Sequence, residues 1–460
     1  MINLKPLLPE IFLTLTIISY FVYGFYARSR CSLSLFVFVG GLVTLLLIPL
    51  SQGIAFKGFF VADLLSQALK FVFLITLLYV VAFSYSYDQI KDKVYYEYMI
   101  LLMLSTLGMM LVVSSREFIS LFLSIEFMSL SLYLLAGIVL FDFKSNEASL
   151  KYFLLGSLAS AFLLFGIAII YGLTKSSYFP DIQGVLQMLS SNEYYLICGI
   201  LALTLGLAFK AGLAPFHQWS PDVYVGAPTP VTAFFSVAPK GAALGAFMRV
   251  FSEAFVVVKD LWTPILVVIA LLTLFVANIL ALRQINLKRL IAYSSIAHAG
   301  YVLLAIIAAS ERGIFALVFY FLVYVFMNLG AFAVILSHSE GENLESYSGL
   351  YRANGFLALA MLGFLFSLTG IPPFGGFVAK FLVFQSLVEI GLVWVAVLAI
   401  MLSVPSIYYY LRIGVRMFFM DRTKVELIVP STEVKLITAI SLAGVFITGL
   451  FPSIFYFIFQ

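Results

Sequence analysis

Apolar runs long enough to cross a bilayer recur along the whole chain. They fall near residues 7–26, 33–50, 64–87, 95–114, 117–140 and 148–173, then near 261–282, 288–309, 313–337, 392–415 and 434–457. A helix needs about 20 apolar residues to span hydrocarbon, and backbone in lipid must satisfy its own hydrogen bonds. Each run is therefore predicted to be a transmembrane helix. The first follows a single lysine and shows no small-residue cleavage signature, so it reads as a retained span and not as a signal peptide. Only 10% of the 460 residues are charged and 63% are hydrophobic, whereas a soluble domain is roughly a quarter charged. A soluble enzyme, a secreted disulfide scaffold and a disordered chain are excluded. The net charge of +4 comes from scattered loop residues without a basic block, which argues against a nucleic-acid partner. Cys31 and Cys198 lack any CxxC or Cys/His spacing, so no metal or cofactor site is read on this chain.

Two further stretches do not parse as single helices. Residues 194–258 contain Pro215, Pro221, Pro228, Pro230 and Pro239, and residues 354–390 contain Pro372 and Pro373. Proline removes a helical hydrogen bond and clashes with the preceding turn, at a cost of about 3 kcal/mol. Within a membrane such breaks occur where backbone is buried in protein or lines a wet cavity. One broken span at 194–238, an ordinary one at 240–258 and a second broken span at 354–390 bring the expected total to about fourteen.

The fold class expected is an all-α polytopic membrane protein with two inverted five-helix repeats. The division is a three-helix segment at 1–94, repeats at 95–258 and 259–415, and a C-terminal helix at 416–460. The internal signal is short: Gly212-Leu-Ala-Pro-Phe216 echoes Gly370-Ile-Pro-Pro-Phe374. Arg116-Glu117 and Lys288-Arg289 also open corresponding spans, which would set Glu126 opposite His298. Five spans per unit is an odd number, so the units must be inverted. Loop Lys and Arg number fifteen on one side, including Arg28, Lys288, Arg422 and Lys424, and seven on the other, including Lys70. Lys210, Lys240, Arg249 and Lys380 fall within spans. The bias places both termini on the positive, outer side.

An ionisable group at mid-bilayer costs at least about 2.5–3.5 kcal/mol, so each one demands a reason. Glu126 sits in SLFLSIEFMSLSLYLLAG, Lys210 closes LALTLGLAFK, Lys240 follows Pro239, Lys380 lies in GGFVAKFLVF, and His298 lies in LIAYSSIAHAGYVLL. The bland reading of a single one is a structural ion pair or a snorkelling stem near a helix end. The set is different, because three lysines face one carboxylate. Burial disfavours the charged forms of both Lys and Glu and brings them towards neutrality, where a proton can hop. A row of such groups joined by water is what a proton path requires. His217 reads as a path residue or a structural donor. His338, in HSEGENLES, reads as solvated, and Tyr293, Ser294 and Ser295 as close-packing residues.

The stretch AFKAGLAPFHQWSPDVYVGAPTPVTAFFSVAPK at 208–240 resembles the antiporter-like membrane subunits of respiratory complex I, and among them the subunit N branch. So do SNEASLKYFLLGSLASAFLLFG at 145–166, LKRLIAYSSIAHAGYVLL at 287–304 and FSLTGIPPFGGFVAKFLVF at 366–384. The resemblance spans essentially the whole chain. It implies fourteen helices with helices seven and twelve broken. It also implies roles for a proton path: Glu126 as the helix-five glutamate, Lys210 as its helix-seven partner, Lys240 as the connecting lysine and Lys380 as the exit lysine, with His298 at a polar position of helix ten. NADH, FMN, iron–sulfur clusters and quinone are implied on partner subunits, and sister antiporter-like subunits and the lipid bilayer as neighbours.

The expected function is proton translocation coupled to quinone reduction elsewhere in an NADH:quinone oxidoreductase. The expectation is that drawing Glu126 and Lys210 together destabilises the Lys210 proton, which passes through Lys240 towards Lys380. Alternatives are a subunit of a multisubunit Na⁺/H⁺ antiporter, a subunit of a membrane-bound hydrogenase, or a scaffold whose lysines never cycle. A bacterial inner membrane is favoured, and a mitochondrial inner membrane fits the same physics.

Overall fold

The computed structural model describes residues 3–27, 29–188, 193–338, 342–421 and 429–454. Arg28, Arg422 and Lys424 of the charge tally lie outside them. The first unit is α1 (Leu8–Tyr23), α2 (Arg30–Leu47), the hairpin β1 (Gly53–Ala55) and β2 (Phe60–Ala62), and α3 (Leu64–Tyr85). There follow α4 (Asp92–Ser114), α5 (Phe118–Ala136), α6 (Phe143–Thr174), the short α7 (Phe179–Leu186), α8 (Glu193–Ala211), α9 (Trp219–Gly226) and α10 (Thr229–Arg249). The last group is α11 (Lys259–Leu282), α12 (Leu287–Ala308), α13 (Glu311–Leu336), the one-turn α14 (Leu350–Ala353), α15 (Gly355–Thr369), α16 (Gly375–Glu389), α17 (Val393–Phe419) and α18 (Thr432–Leu450).

Among the described residues, 13 helices are long and apolar enough to cross a membrane. The two 15-residue halves α15 and α16 form a further, interrupted crossing. Polar residues at the run boundaries start these helices. The side chains of Ser29, Asp63, Glu117, Asp142, Asn286, Ser310 and Ser431 each accept a hydrogen bond from the first helical turn, which satisfies donors that the helix leaves unpaired.

The boundary at the first break differs from the sequence expectation. The second half of that crossing is the short α9, and the next helix already begins at Thr229 and runs straight through Pro239. Pro239 removes the donor to the Phe235 carbonyl, and the Tyr224 hydroxyl on α9 replaces it at 3.1 Å. An inserted partner is what lets proline sit inside a membrane helix. Lys240 is thereby at the middle of α10, not at a span boundary.

The two five-helix units repeat in their packing. The helix α4 packs on α5, α5 on α6, α6 on α8 and α4 on α10, as α11 packs on α12, α12 on α13, α13 on α15 and α16, and α11 on α17. A pair of isolated bridges fixes the register. Glu117 pairs with Tyr178 and Asn286 with Asn343. Phe118 N donates to Ser177 O at 2.9 Å as Leu287 N donates to Glu342 O at 2.7 Å. Glu117 and Asn286 are the N-caps of α5 and α12. Counting nine residues on from each sets Glu126 opposite Ser295, one turn short of His298. The pairing read from the basic residues was displaced because Lys288 and Arg289 lie inside α12 and Arg116 lies before α5.

Helices α10, α12 and α13 are almost wholly buried, while α1, α2, α17 and α18 keep broad exposed apolar faces. The polar centre is therefore shielded by a ring of lipid-facing helices. Two loop lysines of the charge tally turn out to be internal. Lys70 is fully buried in α3, with its ammonium 2.7 Å from the equally buried Glu10 of α1. Lys288 is buried at the start of α12 and donates to Glu342 at 2.8 Å. Each comes from a different side of the tally, so the bias survives their removal.

Candidate functional site: a buried row of lysines

The row begins where α5, α6 and α8 meet. Glu126, Ser129 and Tyr133 recur at helical spacing on one face of α5, and all three address Lys210, on the last turn of α8. The Lys210 ammonium donates to Ser129 Oγ at 2.9 Å, to Tyr133 Oη at 3.2 Å and to Glu126 Oε1 at 3.4 Å. Its side chain is only 2% exposed, against 27% for Glu126. Oε1 of Glu126 has a nearer partner in Ser160 of α6, whose hydroxyl donates to it at 2.5 Å.

Gly212 then ends α8 in the left-handed region, φ 71°, where glycine carries no steric penalty. The exposed backbone is taken up by neighbours. Ala214 N donates to Thr273 Oγ1 of α11 at 3.0 Å, and Trp219 Nε1 donates to Phe209 O at 3.0 Å. A side chain at Gly212 would meet the Lys240 ammonium at 3.6 Å, so the break opens directly onto the next lysine of the row.

Lys240 donates to Ser295 Oγ of α12 at 2.6 Å. Ser295, His298, Tyr320 and Tyr324 share with it a cavity of about 10 Å³, close to the smallest volume that holds one water. His298 is buried among phenols. Its Nδ1 lies 2.6 Å from Tyr320 Oη, its Nε2 lies 3.4 Å from Tyr410 Oη, and the rings of Tyr301 and Tyr324 pack against it. The Tyr301 ring also meets Lys380, whose ammonium is 4.8 Å from the ring centroid.

Lys380 closes the row at the second break. Gly370, φ 89°, ends α15, leaving the last carbonyls of that helix unpaired. The Lys380 ammonium, reaching back from α16, donates to Leu368 O at 3.1 Å and Thr369 O at 2.7 Å. It sits on the negative end of the α15 dipole. Among the described residues neither Lys240 nor Lys380 has a carboxylate partner, in contrast to Lys210, Lys70 and Lys288.

The structure thus brings Glu126 to Lys210, sets Lys240, Ser295 and His298 around one small cavity, and places Lys380 against the Tyr301 ring. His217 is buried beside the Tyr293 ring, with Nδ1 unpartnered, and makes no hydrogen bond to the row among the described residues. His338 is not solvated. It is buried, with Nε2 2.9 Å from Ser346 O and its ring against Tyr347. Sequence reasoning missed the acceptors Ser129 and Tyr133, whose helical spacing from Glu126 is the signal that could have found them. Ser160, Tyr224, Tyr320 and Tyr410 carried no local signal.

A polytopic helical bundle with two inverted, broken-helix units and a buried lysine row belongs to the antiporter-like class of membrane proteins. A family model described as "NADH:quinone oxidoreductase/Mrp antiporter, TM" matches residues 115–405, and the chain belongs to that family. It is 44% identical over 405 residues to NADH-quinone oxidoreductase subunit N 1 of Thermodesulfovibrio yellowstonii, covering 88% of each chain. It is 37% identical over 460 residues to NADH-quinone oxidoreductase subunit N of Nitrosomonas europaea, covering 98% of this chain and 96% of that one. Among solved structures it superposes on a chain of respiratory complex I from Thermus thermophilus with a TM-score of 0.85 at 33% identity, covering 97% of this chain and 98% of the other.

Proposed function

We propose that this chain is a proton-translocating membrane-arm subunit of an NADH:quinone oxidoreductase, working beside sister antiporter-like subunits. The observation that carries the reading is the surplus of buried ammonium groups: Lys210, Lys240 and Lys380 share one row with one carboxylate, Glu126. A structural ion-pair network would match its charges. A Na⁺ site would need a cage of oxygen ligands, which a row of ammonium groups opposes. Protons suit it, since each lysine gives up or takes one without leaving its place. NADH, FMN, iron–sulfur clusters and quinone fall to partner subunits, as Cys31 and Cys198 stand singly and exposed on α2 and α8, too few thiolates for a cluster.

Elementary electrostatics argues for the reverse of one expected step. An approaching carboxylate favours the charged ammonium, so opening of the Glu126–Lys210 pair, not closing, drives the proton from Lys210 towards Lys240. From there Ser295, His298 and the phenols lead to Lys380. The membrane is an energy-transducing one, a bacterial inner membrane by preference, with both termini on the outer side as the loop charge bias supports.

Lys210→Ala in the assembled complex tests the reading. The expected result is lost proton pumping in sealed vesicles and slowed coupled NADH oxidation. Full pumping by this variant overturns it.

A further inference from the structure

The stretch 145–166 forms most of α6, a helix that supplies no charged group to the row. Two of its small residues nevertheless shape the Glu126–Lys210 pair. Ser160 is buried, and its hydroxyl faces two acceptors: Glu126 Oε1 at 2.5 Å and the Gly156 carbonyl, one turn back on its own helix, at 3.0 Å. One hydroxyl proton serves only one of them at a time. Gly156 has a separate task. A Cβ there would lie 2.1 Å from Tyr133 Oη, so the glycine makes room for the phenol that accepts from Lys210 at 3.2 Å.

We propose that Ser160 is a positioning residue that holds the Glu126 carboxylate on the α6 side and so sets whether the Glu126–Lys210 pair is open or closed. The inference rests on the proton-path reading above. Ser160 and Lys210 donate to the same carboxylate oxygen, the serine at 2.5 Å and the lysine at 3.4 Å, so the carboxylate sits closer to α6 than to the ammonium. While Glu126 is ionised, Ser160 donates to it. When Glu126 takes up a proton, its own O–H donates to Ser160 Oγ, and the serine proton turns to the Gly156 carbonyl. The exchange moves no net charge along α6, yet it leaves Lys210 facing a neutral carboxylic acid held on Ser160. The ammonium is then left on the neutral Ser129 and Tyr133 oxygens, the state in which its proton passes on.

The test uses the intact complex in sealed membrane vesicles, with its level checked on native gels. A hydrogen bond to a charged group contributes enough that losing it should slow pumping on the order of tenfold. Ser160→Ala is expected to show that loss at normal assembly, and Ser160→Thr, which keeps the hydroxyl, to restore pumping to within about twofold. In a Glu126→Gln background Ser160→Ala is expected to add no further loss, because the serine acts through that carboxylate. Wild-type pumping by Ser160→Ala overturns the inference. So does an assembled Ser160→Thr that fails as Ala does, or an undiminished Ser160→Ala effect on top of Glu126→Gln. Should Lys210→Ala abolish pumping while Ser160→Ala leaves it intact, this inference alone falls. Full pumping by Lys210→Ala removes the reading beneath it.

Discussion

Lys210 and Lys380 stand at the ends of one row, each beside a glycine-ended break, yet their charges are compensated in different ways. Lys210 faces a carboxylate carried on another helix, with two neutral hydroxyls as further acceptors. Lys380 faces the two carbonyls that terminate α15, the half-helix just ahead of its own. A carboxylate can be withdrawn by a rotamer change on α5, whereas helix-end carbonyls move only if the break itself moves. In the proposed path the first lysine is therefore the switchable site, and the second the fixed one, held by backbone carbonyls.

The largest test of this contrast is Lys380→Ala. It leaves the Leu368 and Thr369 carbonyls without their donor and removes the terminal carrier of the proposed path, so pumping in vesicles should fall at least about a hundredfold, about 2.7 kcal/mol and at the upper end of what one charged hydrogen bond contributes. Retained pumping at a tenth of normal would break the assignment of Lys380 as an obligatory carrier.

Pair-held lysines outside the row sharpen the comparison next. Lys70 and Glu10 are both buried and lie on no path traced above. Lys70→Met alone strands a buried carboxylate, an effect of about 3–5 kcal/mol, whereas Lys70→Met with Glu10→Leu should come close to neutral. Thermal unfolding of the purified complex measures both, and pumping per NADH oxidised should be unchanged in the double variant. Equal destabilisation by the single and double changes would show that this pair is not a charge-balanced staple.

Gly370→Ala probes the rigid end. The position has φ 89°, and the new Cβ would lie 3.0 Å from Lys380 Cδ, so about 1–3 kcal/mol of strain is expected together with a displaced ammonium. Pumping should drop more than assembly does. A smaller effect is expected of Glu126→Gln, which keeps the hydrogen-bonding shape and removes only the charge. It should pump at a reduced stoichiometry, and an unaltered stoichiometry would count against the switchable end.

The smallest effect belongs to the start of α3, where Asp63 caps the helix and receives Arg249 in a bidentate contact at 2.8 and 3.0 Å. Burial pushes the Asp63 carboxyl up, but the Arg249 guanidinium and the Ser66 hydrogen bonds prevail and hold it below the usual carboxylate range. A depressed carboxylate contributes stability above its unfolded value, and that contribution disappears as pH falls through the folded one. Asp63→Asn should therefore flatten the acid limb of the stability-versus-pH curve. An unchanged limb would assign it to other carboxylates.

Much of this was legible in the chain as written. Twenty-residue apolar runs can only be helices in lipid, because no water is present to satisfy an open backbone. Prolines marked both breaks, and lone ionisable residues in apolar surroundings marked Glu126, Lys210, Lys240, His298 and Lys380, since each is too costly to be accidental. The limits were equally physical. Hydropathy reports a window average, so it could not separate Lys70 and Lys288, buried beside their acids, from loop lysines at a helix end. It also could not see that Tyr224 relieves Pro239 and lets α10 run on.

What only the tertiary structure decided is the partner of each charge. Ser160 meets Glu126 across 34 residues, Ser295 meets Lys240 across 55, and Tyr410 meets His298 across 112. Sequence determines where a polar group must be satisfied, because desolvation is a property of the residue and its neighbours along the helix. Which group satisfies it depends on helix rotation and register, and those are set when small residues let whole helices approach.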